Sequence, residues 1–101
     1  MTISEIRAIN REKGFYFFSR DTMEFFKSKV FPDVFSAYER SYFITSEKAC
    51  FDNPTRVYKV RVFNQVNGDV RSADRETYPT VGQARKAARQ HCLNNTDRET
   101  E

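Results

Sequence analysis

The sequence predicts an α+β domain in which an antiparallel sheet of three to four strands carries helices packed on one face, in the order αβαβββα. Capping-box patterns at residues 2–5 and 80–83 predict the starts of the first and last helices. Residues 56–66 alternate apolar and polar side chains, and the Asn-Gly pair that follows favours a tight hairpin turn. A helix and a half-solvated sheet each have one apolar side to bury, so we expect two packed layers.

Length and composition are typical of one small domain. At 101 residues the chain has room for one core, and we place the domain at residues 1–93, followed by a polar tail at residues 94–101 that is predicted to be disordered. No apolar run approaches the roughly 18 residues of a membrane-spanning helix, and residues 1–13 lack the apolar segment of a signal peptide. We therefore expect a cytoplasmic protein with no membrane partner.

The first third of the chain predicts helix, strand, helix. The first helix is expected to stop at Gly14, and the ring-rich residues 15–18 are predicted to form a short buried strand. Ser19 and Asp21 are competing N-caps for a second helix that ends before Pro32. The side chains expected on its apolar face are those of Met23, Phe26 and Val30.

The middle of the chain predicts strands separated by loops. Residues 33–39 fit either an irregular strand or a loop, residues 42–45 predict a strand, and residues 46–55 are typical of a loop. If Asn67 and Gly68 form a two-residue type I′ turn, facing residues of the hairpin have numbers that add to 135. That register places Tyr58, Val60 and Val62 toward the core and Phe63 outward, opposite Ser72, and it pairs Val62 with Ala73, Arg61 with Asp74, Val60 with Arg75 and Lys59 with Glu76.

The chain lacks the residue groups that common enzyme sites need. His91 is the one histidine, and it lies among the alanines of the last predicted helix. Cys50 and Cys92 are far apart, are expected to be reduced, and form no zinc-binding pattern. The three glycines are isolated, so no phosphate-binding loop is present. We expect a protein that is not an enzyme and uses neither a metal nor another cofactor.

Basic residues of the hairpin and the last helix make nucleic acid one candidate partner. The formal net charge is +3 and the pI is about 9.0, which is mildly basic. Cationic side chains on one surface would neutralise phosphates. The candidate residues are Arg71, Arg75, Arg85, Lys86 and Arg89.

The segment YKVRVFNQVNGDV and the A-x-x-A-A pattern of the last helix lie in an order of elements that resembles a double-stranded RNA-binding domain, over residues 21–93. That family holds phosphates with a Lys-Lys-x-Ala-Lys block at the start of its last helix. Residues 81–85 match this block, and they keep the alanine and one basic residue, Arg85. The resemblance therefore concerns the topology and does not supply the phosphate-binding residues.

Four segments in order, FFSRDTMEFFKSKV, YFITSE, RVYKVRVFNQVNGDV and YPTVGQARKAAR, are similar to a group of small bacteriophage and prophage proteins with no established activity. The resemblance covers residues 14–89. It implies an origin in a phage genome and expression in the cytoplasm of a bacterial host cell. It brings no active site with it.

A host or phage protein is the preferred partner, because a domain this small has difficulty burying fifteen aromatic rings. The rings expected to be exposed are those of Phe31, Phe35, Tyr38, Phe51 and Phe63. Geometry distinguishes the two partners. A continuous, unpaired basic surface favours nucleic acid, whereas basic residues that are separated and ion-paired, next to exposed rings, favour a protein.

Overall fold

The computed structural model describes residues 1–25, 27–50 and 53–100, and within them the side chains other than those at positions 49, 50, 53, 54 and 95–100. Four strands form one antiparallel sheet in the order β1-β2-β3-β4, which confirms the predicted α+β class with an antiparallel sheet. The described elements are α1 (Ile3–Glu12), α2 (Arg20–Phe25), β1 (Lys29–Ala37), β2 (Arg40–Cys50), β3 (Asn53–Asn64), β4 (Val70–Ser72) and α3 (Val81–Thr100).

The two longer helices pack on opposite faces of the sheet, not on one face as predicted. Tyr42 and Ile44 of β2 pack with Ala84 and Ala88 of α3. Phe43 points to the other face, because successive strand residues alternate sides, and it packs with Ile6 of α1. The sheet is therefore covered on both sides, and each cover has its own apolar cluster.

Both predicted helix starts are confirmed at the level of hydrogen bonds. The Thr2 hydroxyl accepts from the Glu5 N–H at 3.2 Å, and the Glu5 carboxylate accepts from the Thr2 N–H at 3.0 Å. The Thr80 hydroxyl accepts from the Gln83 N–H at 3.2 Å. The last helix continues through residues 94–100, where the sequence predicted a disordered tail.

The prediction of a strand at residues 15–18 is wrong. These residues form an irregular connection between α1 and α2, and Phe17 and Phe18 pack from it against Phe43. Ser19 caps α2, since its hydroxyl accepts from the Thr22 N–H at 3.2 Å. The second helix ends at Phe25, several residues earlier than predicted.

The prediction that the second helix extends to Val30 is also wrong. Val30 and Pro32 lie in β1, where the pairing with β2 shifts between Val30 and Val34. Of the two alternatives for residues 33–39, the irregular strand is the correct one for residues 33–37, which belong to β1. The strand predicted at residues 42–45 is confirmed and is longer than expected, since it spans all of β2. Phe26, the third residue of the predicted apolar face, lies outside the described residues.

The hairpin of β3 and β4 exists, but its turn and register differ from the prediction. Residues 65–69 connect the strands, so facing residues add to 133: Phe63 faces Val70, Val62 faces Arg71 and Arg61 faces Ser72. The observed register differs from the predicted one by two residues, so each side chain stays on the predicted side of the sheet. Val60 and Val62 therefore point into the core as predicted, and they pack on the α3 side. The predicted pairs of Arg61 with Asp74 and Lys59 with Glu76 do not form in this register.

Candidate binding surfaces

The basic residues predicted to hold nucleic acid do not form one unpaired surface. Arg85 of α3 donates to the Asp33 carboxylate on β1 at 2.7 Å, and the Arg89 guanidinium lies 5.5 Å from the centre of the Phe35 ring. Arg71 pairs with Asp69 at 2.7 Å, at the β3–β4 connection. The two remaining candidates, Arg75 and Lys86, are exposed. Three of the five cations thus already have partners within the protein. Two of them, Arg85 and Arg89, contact β1, and Arg71 lies at the β3–β4 connection.

The rings predicted to be exposed differ in how deeply the structure buries them. Phe31 and Phe35 are half-buried and pack on the α3 side of the core. Phe63 is fully buried beneath α1, so its predicted exposure is wrong; the face it points to is covered by a helix that the sequence placed elsewhere. Tyr38 is 56% exposed, in the turn between β1 and β2. Phe51 lies outside the described residues.

The most exposed rings outside that turn belong to the connection between α1 and α2 and to α2 itself. Tyr16 is 76% exposed, Phe25 is 66% exposed and Phe15 is 36% exposed. Sequence reasoning missed Phe15 and Tyr16 because it assigned residues 15–18 to a buried strand. The spacing of the Gly14 stop and the Ser19 cap was the available signal, since it leaves four residues between two helices, too few for a paired strand and its turns.

Phe15 and Tyr16 border a depression of about 480 Å³ between α1 and the α1–α2 connection. We call it the α1–α2 groove. The Arg7 guanidinium lies over the Phe18 ring at 5.6 Å from its centre, and it lines the groove together with that ring. The groove is defined by Arg7, Arg11, Phe15, Tyr16, Phe18 and Arg20.

A second depression, of about 390 Å³, begins on the far side of Arg20. We call it the basic shelf. Arg56 is fixed there by its guanidinium, which donates to the Ser46 hydroxyl at 2.9 Å and to the Lys27 carbonyl. The shelf is defined by Arg20, Lys27, Lys29, Lys48 and Arg56.

Asp74 joins the β4–α3 connection to α3 through a hydrogen-bonded cluster. One carboxylate oxygen accepts from the Tyr78 hydroxyl at 2.8 Å and lies 2.7 Å from His91 Nε2, and the other accepts from the Glu76 N–H. The His91 ring stacks on Tyr42. His91 therefore has a structural partner, which sequence reasoning missed because its register assigned Asp74 to Arg61.

The cluster shifts the pKa of two of its members. Partial burial acts to raise the pKa of Asp74, but the hydrogen bonds from His91, Tyr78 and the Glu76 N–H together hold that pKa below its ordinary value. Burial, and the carboxylate that accepts from its hydroxyl, raise the pKa of Tyr78 to about 12. These groups hold α3 against the sheet.

Arg61 is a largely buried cation with a full set of partners. It donates to Thr45 at 3.1 Å and to Ser72 at 2.9 Å, and it pairs with Glu47 at 3.5 Å. Its guanidinium also lies over the Phe17 ring. Burial lowers the pKa of Arg61, and the Glu47 charge opposes that effect. These contacts occupy the Arg61 guanidinium within the folded domain, so it is unavailable to a phosphate.

Within the described part of the chain, no group of three or more His, Cys, Asp or Glu residues is placed to hold a metal ion. No helix in the described ranges is long and apolar enough to cross a membrane.

Fold and surface together define a small α+β domain whose exposed rings and free cations meet around α2. Residues 2–89 match the model of the family of unknown function DUF7447, and the chain belongs to that family. Comparison with curated proteins and with solved structures gave no match.

Proposed function

We propose that this protein acts by binding another protein and not by catalysis, with the exposed rings of the α1–α2 groove and α2 as its contact surface. The observation that supports this is the exposure of Tyr16 and Phe25, at 76% and 66%, within one ten-residue segment. Large exposed rings beside arginines are the composition of interface centres. The basic residues of α3 and the hairpin are separated, and Arg71 and Arg85 among them are ion-paired, which favours the same class of partner.

The similarity to bacteriophage and prophage proteins supports the further proposal that the partner is a host or phage protein in bacterial cytoplasm. A domain that occupies a surface on its partner needs no catalytic group. No cofactor is required for that activity.

Affinity capture from bacterial lysate tests the proposal, with and without nuclease. The wild type is compared with Tyr16→Ser/Phe25→Ser, and Tyr38→Ser serves as control because its ring is exposed elsewhere. We expect a protein that survives nuclease treatment, is lost with the double variant and is kept with the control. Equal capture by the wild type and the double variant, or no capture by the wild type, would overturn the proposal.

Nucleic-acid binding is the second candidate, and the basic shelf is the observation that favours it. The side chains of Lys27, Lys29 and Lys48 form no hydrogen bond or ion pair with the described residues. A mobility shift with RNA and DNA at low salt tests this candidate, because phosphate-driven binding is strongest there. Absence of a shift under that condition would end it.

A further inference from the structure

The α1–α2 groove and the basic shelf share Arg20, so they form one continuous surface. The charged residues that line it are strongly unbalanced in sign. Among the described residues that line it, Glu24 is the one carboxylate, and it is bound to Arg20 at 3.0 Å. The cations that line it are Arg7, Arg11, Arg20, Lys27, Lys29, Lys48 and Arg56.

Most of these cations keep their charge available. Arg11 lies at the exposed end of α1, and its side chain forms no hydrogen bond or ion pair with the residues that the structure describes. The same holds for the three lysines of the shelf. By contrast, Arg61, Arg71 and Arg85 elsewhere in the protein are each paired with a carboxylate. Four of the seven cations that line this surface are thus unpaired within the described part of the chain, and the same surface carries the exposed Tyr16 ring.

The open faces of the rings distinguish a peptide from a nucleic acid at this surface. Bases bind by stacking on free ring faces. Phe18 offers none, since Arg7 covers it and its ring stacks on Phe43 with centres 5.9 Å apart. Phe15 is 36% exposed, which leaves Tyr16 as the one widely exposed ring among the described residues that line the groove. One ring suits an apolar anchor side chain better than a row of bases.

We propose that this surface receives an acidic peptide segment of the partner, with its carboxylates on Arg7, Arg11 and Arg20 and an apolar or aromatic side chain against Tyr16. The inference rests on the proposed protein-binding function and adds the chemistry of the partner. Arginine binds carboxylates through two parallel N–H donors, which gives the site orientation as well as attraction. The lysines of the shelf extend the attraction along the segment and speed its association.

Selection from a random peptide library tests this directly. Peptides of about twelve residues, displayed on yeast, are sorted for binding to the intact protein, and the best are synthesised with a fluorescent label for anisotropy titration. We expect the selected peptides to carry net negative charge and at least one large apolar residue. Their affinity should fall by about tenfold or more with Arg7→Glu/Arg11→Glu, and also on raising salt from about 50 mM to about 500 mM.

Two further variants separate the loss of this site from misfolding and from the change in net charge. Arg7 covers a core ring, so Arg11→Glu/Arg20→Glu, in which both residues are exposed, must reproduce the loss. Arg75→Glu/Lys86→Glu makes the same change in net charge away from the groove and should alter affinity by less than about twofold. Equal losses in all three variants would overturn the proposal, because they would reflect net charge alone.

The remaining outcomes separate this inference from the function on which it rests. If the selected peptides are neutral or basic and their binding is lost with Tyr16→Ser/Phe25→Ser, the proposal of an acidic segment is overturned. The proposal of protein binding then still stands. A library without binders at this surface contradicts the acidic segment, and the lysate capture then decides the function. A labelled single-stranded oligonucleotide that binds more tightly than the peptides, and is lost with Arg7→Glu/Arg11→Glu, assigns the surface to nucleic acid instead.

Discussion

Gly68 combines a left-handed backbone with a close contact that excludes a side chain. Its φ is +78°, a region that residues with a Cβ rarely adopt. A Cβ there would lie 2.5 Å from Lys13 Cγ, and the Gly68 carbonyl accepts from the Asn10 side-chain amide at 2.7 Å. Gly68 is thus a point of close contact between the end of α1 and the β3–β4 connection.

Gly68→Ala should therefore lower the free energy of unfolding by about 1–3 kcal/mol or more, because backbone strain and steric overlap with Lys13 act together. Gly14→Ala is the matched control: its φ is +88°, but a Cβ there would meet nothing within 4 Å. Urea denaturation of both variants isolates the steric part. A loss at Gly68 no greater than that at Gly14 would show that α1 does not press on this turn.

Asp74→Asn should destabilise the protein by about 1–3 kcal/mol at neutral pH, because it removes the charged acceptor of the hydrogen bonds from Tyr78 and His91. The folded state lowers the pKa of Asp74 from 3.8. Its carboxylate therefore contributes stability above that ordinary value and loses it as the pH falls through the lower, folded value.

Urea unfolding of the wild type and Asp74→Asn from neutral pH to about pH 2 measures this effect. The difference between them should shrink once the pH falls below 3.8. Glu24→Gln is the control, since its ion pair is exposed and is worth at most about 1 kcal/mol. A difference that stays constant over the whole range would mean that Asp74 is not stabilised by its charge.

At this scale, sequence reasoning succeeds where a residue acts on its near neighbours. Thr2 and Thr80 cap helices through residues three positions away, so the sequence alone predicts them. The partner of Asp74 is His91, seventeen positions away, and finding it requires the register of the hairpin. The candidate site depended even more on such distant contacts, because Arg11, Tyr16 and Lys48 meet on one surface only after the chain has folded.

At the scale of elements, α1 packs on one face of the sheet. Ile6 is completely buried there, in a cluster with Phe43 and Phe63. Sequence reasoning predicted the helix but not its side of the sheet, because an amphipathic pattern shows which face is apolar and not what that face contacts. Phe63 was expected outside for this reason.

Ile6→Ala should lower the free energy of unfolding by about 2–5 kcal/mol, since it leaves a cavity between α1 and the sheet. Ile3→Ala, on the same helix but partly exposed, should cost less. Chemical denaturation of the two variants compares them. Similar small losses would indicate that α1 contributes little to the core.

The misplaced elements share a physical cause. Residues 15–18 are apolar enough for a strand, but they form an irregular segment with no strand partner, from which only Phe17 and Phe18 pack on the sheet. Pro32 was interpreted as the end of a helix, whereas it lies in β1, an edge strand whose pairing is irregular at that point. The Asn-Gly pair favours a two-residue turn, yet contacts with α1 stabilise a longer connection. In each case tertiary contacts outweigh local preference.

For the molecule as a whole, the two apolar clusters are joined by the strands between them. Neighbouring residues of β2 serve both, Tyr42 and Ile44 on the α3 side and Phe43 on the α1 side. Val60 and Phe63 of β3 divide in the same way. Loss of either helix exposes one side of strands whose other side is still packed, so the two covers should stabilise each other.

The protein should therefore unfold in one cooperative transition despite its two clusters. The sequence contains no tryptophan, so a single introduced Trp reports one face. Phe18→Trp reports the α1 side and Tyr58→Trp the α3 side. In urea, the fluorescence transition of each variant should coincide with its own far-ultraviolet circular dichroism transition, in midpoint and in slope. A fluorescence change in Phe18→Trp at lower urea than its loss of secondary structure would instead show that α1, and with it the α1–α2 groove, separates from the sheet before the rest unfolds.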